Sequence, residues 1–445
     1  MENKRVVVIG GGWAGCAAAL AAAKQGARVV LLERADMLLG TGLVGGIFRN
    51  NGRFTATEEA IALGGGELFE LMDAHAVHRN IEFPGHKHAS LYNIMTTESG
   101  VARLLKDFHV QLRMSTRVTD VAMNGQRMTA VMTAKDAGEQ RFEADAFVET
   151  TGTSGNPYAC GKYGNGCGMC ILRCHAFGVR VSIAGRAGVA EITGKKGDQM
   201  GAMSGSCELV RESLAADVLE EMSRTGMVMR PIPQVEDNGS GKLAIKACQQ
   251  YTQAEYKTNV VVLDTGGAKL MTPYFPLSLL RRVRGFENVR FADPYGASFG
   301  NSIRYVNMAP RNDALKIDGL ENVFCAGEKA GLLVGHTEAV VTGTLAGYNA
   351  ARHAEGKEPL ILPETLLAGD AVSHVREQMQ TEMGLGMKFT FSGSVFFERM
   401  KQRGSYLTDV AEIRRRVAAT GLANVFAARP DVAAIHRKPV AVAAH

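Results

Sequence analysis

The feature that most restricts the fold stands at the start of the chain. Arg5 to Ile9 is a β-branched run, Gly10-Gly11-Gly12-Trp13-Ala14-Gly15 follows, and an alanine-rich segment then reaches Lys24. A second apolar run, Ala27 to Leu32, ends at Glu33 and Arg34. This order reads as strand, tight turn, helix, strand and acid. Gly10, Gly12 and Gly15 satisfy G-x-G-x-x-G in the context that motif requires: one glycine for the turn, one for close approach of a pyrophosphate, one for helix–strand packing. The pattern predicts a dinucleotide with its pyrophosphate on the helix N-terminus, against Gly10, Gly12, Trp13, Ala14 and Gly15. A ribose hydroxyl is expected on Glu33, with Arg34 beside it. Glycine turns also occur in α/β domains that bind no nucleotide; here strand, helix, second strand and acid all agree. The fingerprint by itself does not choose between NAD and FAD.

At 445 residues the chain exceeds what one hydrophobic core usually organises, so two or three cores are expected. Hydrophobic residues make up 46% and charged residues 21%, which excludes wholesale disorder and a fibrous class. The net charge of +5 is small, and the densest basic group is Arg281, Arg282 and Arg284. That group is compatible with RNA or an anionic substrate, and also with a solvated surface, the commoner case. No apolar stretch long enough to span a bilayer appears, and the sequence enters its first strand without a signal-peptide pattern. The expectation is a cytoplasmic protein with no membrane partner. In a reducing compartment the eight cysteines are not a disulfide framework, so clustered ones are candidates for metal or redox chemistry.

Two later segments choose the nucleotide. Ala144 to Gly152 reads as a strand ending in Thr151-Gly152, and Leu320 to Glu328 as another ending in Gly327-Glu328. Both resemble segments of the two-dinucleotide-fold flavoproteins. The resemblance implies that the first strand ends beside FAD and that Glu328 lies near the ribityl chain. It also implies that Gly335-His336-Thr337-Glu338 opens a helix whose N-terminal amides face the flavin, where reduced flavin carries negative charge. His336 is the candidate catalytic residue there, for a proton or a hydrogen bond. No second G-x-G-x-x-G occurs in a strand–helix context, so FAD is expected without a separate nicotinamide domain.

Gly10 to Glu33 resembles the N-terminus of the GidA-type tRNA-modifying flavoproteins. Gly285-Phe286-Glu287-Asn288, Asn301 to Pro310, Val323 to Glu328 and Gly343 to Ala351 resemble their relatives, the folate- and FAD-dependent tRNA uridine methyltransferases called TrmFO. Where the TrmFO pattern has a cysteine after the second strand, this chain has Gly42 to Asn50 with none. Cys207 faintly resembles the other reactive-cysteine region of that family, but with the pattern's second cysteine missing it reads as an ordinary buried thiol.

Cys160, Cys167, Cys170 and Cys174 are spaced C-x6-C-x2-C-x3-C among Gly161, Gly164, Gly166 and Gly168. Four thiolates on a glycine-rich loop suit an iron–sulfur cluster, expected as [4Fe–4S]. Structural zinc takes the same ligands but usually from two C-x2-C knuckles, and a redox dithiol would use only Cys167 and Cys170. His175 adjoins the cluster. His75, His78, His86 and His88 match no zinc spacing and read as polar loop histidines. Cys16, Cys325 and Cys248 read as structural.

The fold class predicted is α/β: a Rossmann-type, two-dinucleotide-fold FAD domain with an inserted α+β substrate domain and a helical C-terminal segment. The divisions are 1–152 and 276–355 for the FAD domain, 153–275 for the insert, which includes an amphipathic helix near Glu208 to Arg224, and 356–445 for the C-terminal segment. Two functions fit. The first is an FAD-dependent oxidoreductase whose cluster passes single electrons between the flavin and an electron-transfer partner while a small-molecule substrate exchanges two. The alternative is a folate- and FAD-dependent RNA uridine methyltransferase or another tRNA-modifying flavoenzyme. A homo-oligomer is compatible with either.

Overall fold

The computed structural model describes residues 4–133, 138–153, 181–196, 199–200, 202–204, 207–233, 253–271, 276–292, 302–304, 307–430 and 432. The chain opens with β1 (Arg5–Ile9), α1 (Trp13–Lys24) and β2 (Arg28–Leu32), then α2 (Gly52–Ala62) and the hairpin β3 (Ala76–Phe83) and β4 (His86–Tyr92). It continues with β5 (Gln111–Arg113), β6 (Ala146–Glu149), β7 (Cys207–Leu209), α3 (Ala216–Thr225), β8 (Met227–Pro231), β9 (Asn259–Asp264) and β10 (Ala268–Leu270). Then come β11 (Val323–Cys325), α4 (His336–Ala354), α5 (Leu367–Gln378) and α6 (Val410–Ala419).

Five strands form one parallel sheet in the order β11-β6-β1-β2-β5. Its central strands are almost continuously apolar and buried, as parallel sheets covered on both faces require. The chain leaves β1 toward β2 and returns to β6 on the other side of β1. The crevice at the carboxyl ends of β1 and β6 is therefore the point where strand order reverses, the usual ligand position in an open α/β sheet.

Helix α1 is built for confinement: all twelve of its residues are buried, and eight of them are alanine or glycine. Its partner is α4. A Cβ on Gly343 would overlap the carbonyl of Ala14, and one on Gly347 would overlap that of Ala18. Both pairs are spaced four residues apart, so two small-residue stripes meet along one helical face. Two interior glycines weaken an isolated helix by about 1 kcal/mol each relative to alanine. Here they permit backbone contact between helices that bring two N-termini to the same edge of the sheet.

A four-stranded antiparallel sheet, β7-β10-β9-β8, forms a second core with α3 and residues 277–291. Strand β9 is buried on both sides. Val260 and Val262 enter that core, whereas Val261 and Leu263 pack with Ile47, Phe83 and Leu91 against the β3–β4 hairpin. The period-2 alternation of one strand thus seats the inserted sheet on the nucleotide-binding part. The helix expected from Glu208 is shorter than its pattern suggested. Cys207–Leu209 is a strand, Arg211–Ser213 a single 3-10 turn, and α3 starts at Ala216, because pairing with β10 takes the first residues into the sheet.

Beyond α4 the chain is helical. Helix α6 is held to α2 by Arg416 to Glu59 at 3.2 Å, and Thr55 Oγ1 donates to the Leu407 carbonyl at 2.6 Å. No described helix is long and apolar enough to cross a membrane.

Alanine at position 347 tests the α1–α4 contact, because propensity and packing then act in opposite directions. Gly347→Ala should destabilise by roughly 1–3 kcal/mol through overlap with Ala18, although alanine favours the helix by about 1 kcal/mol. A urea midpoint raised by the substitution would contradict the close contact.

Candidate functional site

The three fingerprint glycines occupy three different environments. Gly10 has φ of 103°, and a Cβ there would stand 2.5 Å from the Thr150 carbonyl oxygen. Thr150 Oγ1 in turn donates to the Gly10 carbonyl at 2.7 Å, fastening the turn to the end of β6. Gly15 has no room at all, since its Cβ would overlap the Gly10 carbonyl. Gly12 is the N-cap of α1, its φ of −66° suits any residue, and nothing lies within 4 Å of a Cβ placed on it. Only this glycine faces open space. That is the cradle a pyrophosphate needs, bounded by the first helical turn at Trp13, Ala14 and Gly15.

Glu33 follows β2 directly. Its Oε2 accepts from Gly11 N–H at 2.6 Å and its Oε1 from Ala35 N–H at 2.8 Å, so the carboxylate is fixed at the side of the glycine turn. The Arg34 side chain stands next to it in the chain, half-buried. Thr151 and Gly152 continue β6 over the carboxyl edge. Thr151 Oγ1 donates to Glu149 at 3.0 Å, and Gly152, with φ of 66°, faces open space.

The second N-terminus at this edge belongs to α4. Gly335 is its N-cap, at φ of 145°, and a Cβ there would collide with the Arg53 guanidinium and the Glu338 carboxylate. Arg53 Nε and Glu338 Oε2 are 3.1 Å apart and buried, and Glu338 also accepts from Phe391 N–H at 2.8 Å and Thr390 Oγ1 at 2.7 Å. The charge of Arg53 is thereby balanced inside the first turn. Thr337 is fully buried, yet its Oγ1 has no hydrogen-bond partner among the described residues. A buried hydroxyl left open at a helix N-terminus suits a polar ligand atom.

His336 begins α4. Its Nδ1 lies 3.3 Å from the Tyr92 hydroxyl, which also reaches the Gly42 carbonyl at 3.3 Å. A carbonyl can only accept, so a tyrosine proton directed at Gly42 leaves the hydroxyl oxygen to accept from His336 Nδ1. Trp13 packs edge-on to Tyr92 with centroids 5.9 Å apart and stands 6.4 Å from His336. Burial pushes the Tyr92 hydroxyl up to about 12, so it stays protonated. Behind these rings His86 is held neutral: burial first, and then Arg53, bring it down to about 3, and its Nδ1 lies 2.9 Å from Asn50 Nδ2.

Gly327, at φ of 64°, sits against Ala14 of α1, and Glu328 accepts from Thr153 Oγ1. The next residue is one the sequence reading missed. Lys329 is fully buried, 3.3 Å from Glu149 Oε1, paired with Glu191, and donating to Ser182 Oγ at 2.8 Å. Glu149 accepts from the amides of Ile183 and Ala184, each at 2.8 Å. Its one sequence signal is an acid inside the apolar strand Ala146-Phe147-Val148-Glu149.

Cys160, Cys167, Cys170, Cys174, His175 and Cys248 lie outside the described residues. Cys16, Cys207 and Cys325 are buried; burial raises the Cys16 and Cys325 thiols far above their usual range. His75, His78 and His86 bond to Thr96, Asp264 and Asn50, and no metal-ready group of His, Cys, Asp and Glu occurs among the described residues.

A family model described as glucose inhibited division protein A matches residues 5–261 and 271–358. The chain belongs to the glucose inhibited division protein A family. The match includes the glycine turn, the inserted sheet as far as residue 261, and α4. Among solved structures, the form II crystal of Aquifex aeolicus GidA aligns with a TM-score of 0.67 at 17% identity, covering 98% of this chain and 75% of that one. The form I crystal gives 0.60 at 16% identity, covering 94% and 78%. The α/β, FAD-binding Rossmann-type fold is thus the GidA fold, with its helical C-terminal segment.

Gly12→Leu separates the cradle from the scaffold. Position 12 has room and ordinary dihedrals, so the variant should fold with an unchanged melting temperature while losing at least tenfold in FAD affinity, about 1.4 kcal/mol. Titration of apoprotein with FAD checks this; full flavin occupancy in the variant would exclude Gly12 from the pyrophosphate site.

Proposed function

We propose that this chain is an FAD-dependent enzyme that modifies a nucleoside in RNA. The observation that carries the cofactor is the open cradle at Gly12, placed at the same sheet edge as the α4 N-terminus with its unpartnered Thr337 hydroxyl. RNA as the substrate is supported by membership in the glucose inhibited division protein A family, resembling the tRNA-modifying flavoproteins, and by Arg281, Arg282 and Arg284, all exposed on the segment that packs into the second core.

In this reading Gly10, Gly12, Trp13, Ala14 and Gly15 hold the pyrophosphate and Glu33 the ribose. Thr151, Gly152, Gly327 and Glu328 line the path to the ring, and Gly335 to Thr337 face its polar edge. Bound FAD supplies two-electron chemistry at its ring. The chain's own residues do the rest. The α4 N-terminus stabilises negative charge at the ring, Tyr92 fixes the His336 tautomer, and Nε2 of that histidine accepts a proton or hydrogen bond. Trp13 and Tyr92 exclude water from one side.

The arginines give the RNA test. Binding of unmodified tRNA should weaken when Arg281, Arg282 and Arg284 are changed to alanine, and the slope of log affinity against log salt should fall by about 1 for each arginine that contacts a phosphate. Wild-type affinity and slope in the triple variant, or no binding by the wild type, would remove RNA from this reading.

A second reading keeps the iron–sulfur cluster, on one specific observation: the described residues on either side of the cysteine-bearing segment bond two adjacent residues, Glu328 and Lys329. Thr153, at its entry, bonds Glu328, and Ser182, at its exit, bonds Lys329. A [4Fe–4S] cluster on Cys160, Cys167, Cys170 and Cys174 would then exchange single electrons with the flavin and an external partner. Anaerobically purified protein should contain iron and sulfide, and serine at any of the four positions should remove both while FAD remains. Zinc in place of iron would reject the cluster.

A further inference from the structure

The inserted sheet carries a charged pair for which the cofactor reading has no task. Alternation along β7 sends Cys207 and Leu209 into the second core, which turns Glu208 to the opposite face. Across the ladder Glu208 stands opposite Lys269 of β10, whose neighbours Ala268 and Leu270 point into that same core. Lys269 is 4% exposed, and its Nζ donates to the Val44 carbonyl. The next residue, Gly45, is so close to His336 that a Cβ would overlap the imidazole. The pair therefore abuts the turn that packs on the first residue of α4.

Glu208 is not finished as a structural ion pair would be. Both of its carboxylate oxygens are buried, and neither has a hydrogen-bond partner among the described residues. The turn between β9 and β10 closes over it, with a Cβ on Gly267 reaching within 2.8 Å of Oε2. A buried carboxylate without donors is costly, and buried pairs that serve stability alone normally satisfy their remaining lone pairs. Burial raises its pKa well above the usual carboxylate range, and Lys269 opposes that rise only in part. Other titratable groups near this region among the described residues are Tyr92, which stays protonated, and His336; Arg211, which bonds the Gly267 carbonyl at 3.1 Å, pairs with Asp264 at 2.7 Å, and Arg53 pairs with Glu338.

Resting on the reading that FAD binds at this edge, we propose that Glu208 and Lys269 are a proton-exchanging pair, in which Glu208 takes up one solvent proton when the flavin is reduced and returns it on reoxidation. The balance is explicit. A two-electron donor delivers two electrons, one proton joins the reduced flavin anion, and a second proton joins the Glu208 carboxylate, so the charge of the site is unchanged. Negative charge gained beside Val44 and His336 raises the affinity of Glu208 for that proton. The sign follows from the raised pKa. At acidic pH the carboxyl is protonated in both redox states and adds nothing; between its pKa in the oxidised protein and its higher pKa in the reduced protein it binds a proton only on reduction.

The test is a redox titration of the FAD-loaded protein from about pH 5 to 9, counting protons from the pH dependence of the midpoint potential. Wild type should take up one proton per two electrons at the acidic end and two toward the alkaline end. Glu208→Gln should take up one throughout, with FAD still bound. Lys269→Met should move the change from one to two protons to higher pH, because the carboxyl loses its cation. Two protons retained in Glu208→Gln, one proton at every pH in wild type, or an unmoved transition in Lys269→Met would each overturn the pair. Loss of the second proton in His336→Gln but not in Glu208→Gln would overturn it too, by assigning that proton to the imidazole. A wild-type chain that binds no FAD overturns the cofactor reading and this one with it; the other results overturn the pair alone.

Discussion

The contact on which the rest of the site depends is the meeting of Gly10, Gly15 and Thr150. Three backbone segments, the end of β1, the first turn of α1 and the end of β6, come together at distances that exclude a Cβ at two of the positions. The Thr150 hydroxyl bonds the carbonyls of both Ile9 and Gly10, replacing side-chain packing with directed bonds. This closeness puts the α1 N-terminus at the strand-order reversal and leaves Gly12 as the one fingerprint glycine with open space. The same device recurs where α4 crosses α1 at Gly343 and Gly347. Two positive helix ends are delivered to one edge by helices that almost lack side chains where they touch.

Such an edge is surrounded by buried charge, and the fold handles it by local pairing. Arg53 and Glu338 balance at the α4 N-terminus with added bonds from Thr390 and Phe391. Lys329 pairs with both Glu149 and Glu191 beside β6, with the amides of Ile183 and Ala184 completing Glu149. In both clusters the desolvation of several ions is offset by near-complete hydrogen bonding, the condition under which buried ion pairs persist. Removing one partner would strand the others, so both clusters fix position more than they add stability. The pair of Glu208 and Lys269 stands apart because its carboxylate lacks that completion.

The nucleotide-binding start was legible because every part of it is local: turn, helix and acid lie within thirty residues, and each carries its own signal. The α4 start at His336 was legible for the same reason. Lys329 was not, since its partners come from positions 149, 182 and 191 and nothing near Lys329 distinguishes it from a surface lysine. Glu208 was read into a helix because the apolar spacing from Leu209 to Met222 is compatible with one. Its true partner lies sixty-one positions away on β10, and such strand pairing leaves no local trace.

The inserted sheet shows how the ring end of the site is assembled from distant segments. Strand β9 has two apolar faces, one toward its own core and one toward the β3–β4 hairpin that carries Tyr92. Sliding β9 by one residue would exchange Val260 and Val262 with Val261 and Leu263; both faces are equally apolar, so burial alone does not choose the register. Polar groups do. His78 of β3 lies 3.2 Å from Asp264 at the end of β9, Arg211 binds the same carboxylate at 2.7 Å, and Lys269 reaches Val44 from the next strand. A shifted register would bury these charges unpaired, at a cost of several kcal/mol. The apolar residues therefore hold the insert against the nucleotide-binding part, whereas the charged ones decide where along it Glu208 and Lys269 come to rest.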